Sequence, residues 1–235
     1  MLRRRTMGRK KVLIEVVEKL TSSGTFIVPS GCTSIDAFVV GAGGGGGSGG
    51  SYYPGAGGGA GYTKVYYGIQ VTPGQKLTVK IGQGKSNNSL DSNGVDGEYS
   101  YFINTSYSAQ GGKGGLYGTG NPETQKAHGG NGGSGGGAPY QQGGTNGGNG
   151  GTYYSYLGGY GQGSTTKCPF NDKLYASGGE GGNDSDIGKD GINNTGNGGD
   201  GGRGGRNSFS RQKSTYGGSG IIVLPVSYTH LRAHE

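Results

Sequence analysis

The stretch GGNGGSGGG at residues 129–137 and its counterpart NGGDGGRGGR at residues 197–206 decide how this chain can fold. Glycine pairs recur in both every three residues, which is the period of one turn of the polyproline-II helix. Without a Cβ, such helices can approach one another until their outward N–H and C=O groups form hydrogen bonds, as in crystalline polyglycine II. These bonds would offset the entropy that glycine loses on ordering. We expect both runs to form packed polyglycine-II helices; runs that never order are the alternative.

The composition limits the size of any hydrophobic core. Glycine supplies 61 of the 235 residues, and hydrophobic residues supply only 29%. One small core is compatible with these numbers, whereas a core extending through the whole chain is not. Only seven prolines are present, which excludes collagen because its repeats need about 15–20% proline or more. No apolar stretch approaches the ~18 residues of a membrane helix, so we expect no membrane insertion.

The net charge of +7 is concentrated at the N-terminus, and residues 12–235 hold 15 basic against 14 acidic residues. The basic cluster consists of Arg3, Arg4, Arg5, Arg9, Lys10 and Lys11. Such an arm can contact nucleic acid or an anionic surface, while the alternative is a solvated, disordered arm at residues 1–11. The apolar segment behind it is interrupted by Glu15 and Glu18, and no A-x-A cleavage site follows. We therefore expect no secretion signal.

Strand patterns concentrate in the first 110 residues and return once near the C-terminus. Period-2 alternation and β-branched or aromatic residues predict strands. The predicted strands lie at residues 12–20, 25–28, 34–40, 62–71, 76–81, 99–103, 107–109 and 221–224. Residues 12–20 also fit a helix, so that alternative stays open. The turn at residues 72–75 predicts a hairpin between the strands that flank it.

These patterns predict a mainly β protein in which a small antiparallel β-sandwich carries a long glycine-rich insertion. Residues 12–110 and 219–224 would form the β core. Residues 111–218 would form polyglycine-II helices with variable loops, since a structureless loop of that length is unusual in a compact domain. Residues 226–235 resemble a tail that recurs on unrelated conceptual translations, and we set them apart from the fold.

Several stretches resemble the glycine-rich domain of phage tail-fibre and tail-tip proteins. They are GTFIVPSG at residues 24–31, TSI at 33–35, VVG at 39–41 before a glycine run, VTPG at 71–74 and GGSGIIV at 217–223. The resemblance covers residues 20–224, and in style the chain is similar to the glycine-rich region of the anaplastic lymphoma kinase family. It implies a non-enzymatic adhesion module that recognises a protein or glycan on the host cell surface.

The resemblance further implies a place on the virion tail after synthesis in the host cytoplasm, with other tail proteins as additional partners. Two alternatives remain open. The first is a structural glycine-rich surface or assembly protein without a specific ligand, located on the bacterial cell surface. The second is a nucleic-acid binder that uses the basic arm and the single RGG element at residues 203–205, although the otherwise neutral chain argues against nucleic acid.

Motifs for cofactors, metals and catalysis are incomplete. The G-x-G-x-x-G match at residues 41–46 is followed by glycines and Pro54, where a dinucleotide site needs a helix. A P-loop ending at residues 84–86 would have Val79 in place of its first glycine. Residues 181–187 approach the calcium nonapeptide, but Asp184 replaces a glycine and no second copy follows. With His128 the only histidine before residue 226, we expect no enzyme, cofactor or metal site.

Cys32 and Cys168 have no metal-ligand spacing between them. We expect two inert small residues, and a disulfide between them is the alternative.

The candidate binding residues lie where side chains interrupt the glycine. The chain has 17 tyrosines and no tryptophan, and binding loops favour tyrosine because its rigid ring has a polar tip. Residues 167–175 add charged and amide groups that suit a sugar or protein surface. The predicted receptor-binding residues are Tyr52, Tyr53, Tyr153, Tyr154, Tyr156, Lys167, Asn171, Asp172, Lys173 and Tyr175. The alternative role of the tyrosine rings is to shield the edges of the glycine lattice.

Overall fold

The computed structural model describes residues 11–119, 128–139, 143–145, 166–205 and 210–231. Within these ranges the protein is mainly β, as predicted, with one 3₁₀ turn at Thr105–Tyr107. The strands are β1 (Lys11–Leu20), β2 (Gly24–Ile27), β3 (Ser34–Val40), β4 (Thr63–Gln70), β5 (Lys76–Lys80), β6 (Ser100–Phe102), β7 (Ser108–Ala109) and β8 (Ile221–Leu231). Residues 12–20, for which a helix was the alternative, belong to β1, in agreement with their β-branched side chains.

The strands form two antiparallel sheets of four strands each. Sheet A has the order β1-β8-β3-β4, and sheet B has the order β2-β5-β6-β7. One hydrophobic cluster contains buried residues of both sheets, because alternate side chains of a strand point to the same face. Its members include Phe26, Leu77, Val79 and Phe102 from sheet B and Ile35, Val39, Ile69, Ile222 and Leu224 from sheet A. Residues of the two sheets therefore share one hydrophobic core.

The predicted hairpin between residues 62–71 and 76–81 is wrong. β4 pairs with β3 in sheet A, whereas β5 pairs with β2 and β6 in sheet B. The predicted turn is present, with the Gln75 N–H donating to the Thr72 carbonyl over 3.0 Å, but it leads from one sheet to the other. Turn residues determine where the chain bends, while strand alternation does not identify the partner strand.

Strands β2, β3, β4 and β5 belong instead to one long antiparallel pair, which residues 24–50 form with residues 53–79. β2 pairs with β5, β3 pairs with β4, and the pairing then continues past the strands into the glycine. There the N–H groups of residues 41, 44, 47 and 50 donate to the carbonyls of residues 62, 59, 56 and 53 over 2.8–3.0 Å. The turn of this pair lies at residues 51–53, away from both sheets.

β8 lies between β1 and β3 in the middle of sheet A. Ile222, Leu224 and Val226 are buried in the core between the sheets, so the predicted return of residues 221–224 to the core is confirmed. The strand continues to Leu231, paired with β1 from Ile222–Leu20 to Leu231–Lys11. It thus extends into residues 226–235; that these residues are a non-native tail stays a prediction.

Outside the strands, glycine-rich segments are bonded to one another through their backbones. Residues 41–50, which we call the central segment, are buried along their whole length. Every third N–H of this segment donates to the same neighbour, over 2.8–3.0 Å. Gly44 and Gly47 donate to segment 53–62, Gly45 and Ser48 to segment 92–98, and Gly43 and Gly49 to segment 212–218.

Two further segments donate to the central segment, also in steps of three. Residues 112, 115 and 118 donate to the carbonyls of residues 42, 45 and 48, and residues 199, 202 and 205 donate to those of residues 44, 47 and 50. Among the described residues the central segment therefore has five bonded neighbours. We call the assembly of residues 41–62, 92–98, 110–118, 128–137, 176–183, 188–205 and 212–220 the glycine bundle.

Positive φ angles do not explain the many glycines of this bundle, because only four described glycines have one, at residues 31, 68, 74 and 196. Glycine is needed here because the backbones approach one another closely. A Cβ built on Gly44, Gly47 or Gly58 would lie closer than 3.0 Å to the carbonyl oxygen of a neighbouring segment. Backbone hydrogen bonds therefore hold the bundle together, where an ordinary domain would use packed side chains.

Candidate functional site

The described candidate residues lie at the two ends of the glycine bundle. Gly41 follows β3 directly and marks the end next to the sheets, while Gly50 marks the opposite, distal end. Tyr52 and Tyr53 lie at the distal end. The segment 167–175 lies at the other end, against sheet A. The structure does not bring these two groups together, and Tyr153, Tyr154 and Tyr156 lie outside the described residues.

Tyr52 and Tyr53 form the turn of the long antiparallel pair. The Gly50 N–H donates to the Tyr53 carbonyl over 2.8 Å and closes the turn. The Tyr52 side chain is 60% exposed, and Tyr53 is half-buried. The Gly205 N–H donates to the Gly50 carbonyl over 2.9 Å, which places residues 203–205 beside this turn. The distal end therefore gathers side chains that are far apart in the sequence.

The polar residues that surround this turn were not among the predicted receptor-binding residues. Arg211 forms an ion pair with Asp91, with 2.6 Å between Nη1 and Oδ1. The Arg203 guanidinium donates to the Ser210 carbonyl over 3.1 Å. Arg203 occupies the non-glycine position of the RGG triplet at residues 203–205, and this position indicates a side chain that points out of the bundle. The sequence does not indicate which end of the bundle the triplet occupies.

Residues 166–176 form a small hairpin on the outer face of sheet A. The Tyr175 N–H donates to the Thr166 carbonyl, and the Cys168 N–H donates to the Lys173 carbonyl, each over 2.9 Å. Asp172 has a φ of 56° at the turn, a left-handed conformation that aspartate adopts more readily than most residues. The backbone of this hairpin is thus fixed by its own hydrogen bonds.

Three side chains attach the hairpin to sheet A. Cys168, Tyr175 and the partly buried Phe170 belong to a second hydrophobic cluster, together with residues 38, 40, 221 and 223 of the sheet. The Tyr175 ring lies 5.6 Å from the Phe38 ring between centroids, and Tyr175 is only 8% exposed. Among the candidate residues, Tyr175 therefore has a position suited to anchoring the hairpin.

Burial also determines the protonation of this anchor. Desolvation raises the pKa of the Tyr175 hydroxyl, while a hydrogen bond from Asn171 Nδ2, 3.1 Å away, opposes the shift. Desolvation likewise raises the pKa of the Cys168 thiol. Both groups are therefore neutral near pH 7, and a buried thiol with a raised pKa is a poor nucleophile.

The opposite side of the hairpin is polar and exposed. Lys167 Nζ lies 3.0 Å from Asp172 Oδ1, and both side chains are more than half exposed. Lys173 is exposed beside them, and Leu174 is 70% exposed. An exposed ion pair contributes little to stability, so these residues are available for contacts with a partner.

The described residues contain no group of three His, Cys, Asp or Glu side chains that could hold a metal ion. No helix among them has the length and apolar character needed to cross a bilayer. Cys32 and Cys168 are both buried free thiols. They lie in different clusters on opposite faces of sheet A, so the alternative of a disulfide between them is wrong.

Two antiparallel sheets joined to a backbone-bonded glycine bundle define a glycine-rich, mainly β domain. The sequence profile of the family described as glycine-rich domain matches residues 21–227, which include both the sheets and the bundle. The chain belongs to this family. A comparison with curated proteins gave no match.

Proposed function

We propose that the chain is a non-enzymatic adhesion module of the phage tail-fibre or tail-tip type, which recognises a protein or glycan on the host cell surface. In this proposal the two sheets are a β-sandwich that anchors the module, and the glycine segments are polyglycine-II helices. The module is carried on the virion tail, where other tail proteins are its additional partners.

The period of the hydrogen bonds supports the polyglycine-II assignment. Three residues complete one turn of that helix, so successive N–H groups point in three directions about 120° apart. The central segment follows this rule, because Gly43, Gly44 and Gly45 donate to three different segments and Gly47, Ser48 and Gly49 repeat the same rotation. An antiparallel strand would instead alternate between two sides.

The observation that carries the functional proposal is the gathering of loops at the distal end. A rigid scaffold that presents variable loops at one end is the arrangement that recognition proteins use repeatedly. The scaffold itself displays mainly backbone groups that are already bonded to neighbouring segments. Recognition therefore depends on the side chains at the turns, of which Tyr52 is the most exposed described tyrosine of the candidate set.

Cell binding by the full chain tests the proposal. The labelled parent protein is titrated onto a panel of Gram-negative and Gram-positive cells, together with the Tyr52→Ser and Tyr67→Ser variants. Tyr67 is the matched control because it is 67% exposed but lies on β4 in sheet A, away from the distal end. We expect the parent to bind some strains and not others. We expect Tyr52→Ser to weaken that binding about tenfold or more, since an aromatic anchor contributes about 2 kcal/mol.

The control variant should bind like the parent, and both variants should melt within a few degrees of it. Equal weakening by Tyr52→Ser and Tyr67→Ser would contradict recognition at the distal end. A parent protein that binds no strain, or binds all strains alike, would favour the structural assembly role instead.

A further inference from the structure

A groove runs along the flank of the glycine bundle from its middle towards its distal end. It has a volume of about 420 Å³ and lies between the loop at residues 187–190 and the segment at residues 203 and 210–216. Its position is fixed because the Gly49 N–H donates to the Gln212 carbonyl over 2.9 Å and the Thr215 N–H donates to the Gly46 carbonyl over 3.2 Å. The volume is within the range of about 300–1,000 Å³ that small-ligand sites occupy.

The floor of the groove is held by the Gln212 side chain. Its Oε1 accepts the Gly188 N–H over 2.7 Å, and its Nε2 donates to the Gly188 carbonyl over 2.7 Å. The same Oε1 accepts the Arg203 N–H over 3.3 Å. One amide thus joins both walls, so the groove is a built feature of the fold and is present before any ligand arrives.

The lining is positively charged. Arg203, Arg211 and Lys213 contribute three cations against the single carboxylate of Asp190, and Asp190 Oδ1 already accepts the Tyr216 N–H over 2.8 Å. Arg211 is held by its ion pair with Asp91. Lys213 is exposed and forms no ion pair with any described residue. A ligand that carries an anionic group would complement this charge.

Two apolar surfaces complete the groove. The Tyr216 side chain is 43% exposed although its backbone is fixed, and the Ile187 side chain is 62% exposed. A tyrosine ring offers a flat face with little entropy to lose on binding, and such a face fits the C–H side of a sugar ring. The combination of a flat ring and cations in one groove therefore fits a sugar that bears a negative charge.

We propose that this groove binds an anionic saccharide, meaning a sugar with a carboxylate or phosphate group, on the surface of the cell that the module recognises. The inference rests on the proposed adhesion function and names the ligand class for it. The anionic group contacts Lys213 and Arg211, and the sugar ring lies on Tyr216. A neutral sugar would make no charged contact with Lys213 and would bind more weakly.

Binding of defined saccharides to the full chain tests this inference. The probes are alginate oligosaccharides, which carry carboxylates, mannose 6-phosphate, which carries a phosphate, and dextran oligosaccharides, which are neutral. Single-stranded DNA is included because it is anionic without the same ring chemistry. We expect one of the charged sugars to bind at least about tenfold more tightly than dextran, and the better of the two identifies the anionic group.

Two variants and a matched control locate the site. Lys213→Glu and Tyr216→Ser should each weaken saccharide binding about tenfold, because the first removes a charge-assisted contact and the second removes the stacking face. Lys76→Glu changes the net charge equally but lies on β5 in sheet B and outside the candidate binding residues, so it should leave the affinity within about twofold. Melting temperatures of all three should match the parent, since the altered side chains are exposed.

Three results would overturn the inference: dextran binding as well as the charged sugars, DNA binding most tightly, or Lys76→Glu weakening binding as much as Lys213→Glu. Cell binding that survives while no charged sugar binds would reject the groove and leave the adhesion function standing. Saccharide binding together with strain-independent cell binding would reject the adhesion function and leave the groove standing.

Discussion

At the scale of single residues, glycine acts in this protein through the Cβ that it lacks. An added Cβ on Gly58 would lie closer than 3.0 Å to the carbonyl oxygens of Gly44 and Gly45. Those oxygens are backbone atoms of a buried segment and cannot move aside as a flexible side chain would. Gly24 has the opposite environment, since an added Cβ there would have no heavy atom within 4 Å.

We therefore expect Gly58→Ala to destabilise the protein by about 1–3 kcal/mol or more, the usual cost of inserting an atom into a packed interior. Gly24→Ala should leave stability unchanged or raise it by about 0.4–1 kcal/mol, because alanine has less backbone entropy to lose. Urea denaturation of both variants measures the difference. Equal stability of the two variants would show that the bundle tolerates side chains.

Glu98 gives a pH dependence at the same scale. Its carboxylate lies 2.5 Å from Lys85 Nζ and 3.9 Å from Lys80 Nζ, and the hydrogen bond with Lys85 lowers the pKa of Glu98. A lowered pKa stabilises the folded state above the unfolded-state pKa of about 4.3. This contribution is lost as the pH falls through the folded-state pKa.

Glu98→Gln should therefore be less stable than the parent at pH 7 by at most about 1 kcal/mol, since the group is partly exposed. The difference should shrink below about pH 4.3 and disappear at lower pH, where the parent carboxyl is also neutral. Denaturation curves across this pH range measure it, and 1 M salt should reduce the difference at pH 7. A difference that persists at low pH would assign the effect to packing.

At the scale of secondary-structure elements, β8 connects the two parts of sheet A and fills the core. Leu224 is completely buried in the cluster between the sheets, whereas Leu174 in the hairpin on sheet A is 70% exposed. The two residues allow the same substitution to be compared in opposite environments. Leu224→Ala should cost about 2–5 kcal/mol, and Leu174→Ala should stay within about 0.5 kcal/mol.

Thermal or urea unfolding measures both leucine variants. If Leu224→Ala unfolds like the parent, β8 does not close the core and the assignment of this strand is wrong.

The sequence predicted the positions of the strands better than it predicted which strands pair with each other. The strands were predictable because alternation and β-branching are local properties of residues such as Val39 and Val79. The pairing of β4 with β3 was not, because it depends on the long antiparallel pair that continues through Gly44 and Gly59. The triplet runs indicated backbone contacts between segments, but the identity of the five neighbours of the central segment requires the three-dimensional structure.

The candidate site was predicted in part for the same reason. Exposure of Tyr52 follows from a tyrosine pair that interrupts a glycine run, and the structure places it at a turn. Tyr175 lies in an equally polar sequence yet is buried against Phe38, because the outer face of sheet A is covered by a distant hairpin. Lys213 and Arg203 line the same groove because segments 203–205 and 212–218 both lie beside the central segment.

At the scale of the whole molecule, the sheets and the glycine bundle share one continuous hydrogen-bond pattern. The antiparallel pair that forms β3 and β4 passes without interruption into residues 41–50 and 53–62. The bundle also bonds directly to the strand region, since the Gly220 N–H donates to the Gly82 carbonyl over 3.0 Å. Neither part can lose its structure without exposing buried groups of the other.

We expect a single unfolding transition in calorimetry, with the calorimetric enthalpy equal to the van't Hoff enthalpy. Amide exchange of Gly44, Gly47 and Gly58 should then be as slow as that of the core strands, since protection reports the opening of a cooperative unit. Two separate transitions, or glycine amides that exchange at random-coil rates, would show that the bundle orders independently of the sheets or remains flexible.

The neighbours of the central segment set the time at which this protein can fold on the ribosome. Residues 41–50 need residues 199–205 and 212–218 as partners, and sheet A needs β8. At about 5–20 residues per second, roughly 10–35 s pass between the synthesis of the central segment and that of residues 212–218. During this interval the N–H and C=O groups of the central segment that bond to residues 199–205 and 212–218 in the folded protein are hydrogen-bonded to water. A chain released before β8 is made lacks the strand that lies between β1 and β3, so sheet A cannot form and the core stays open.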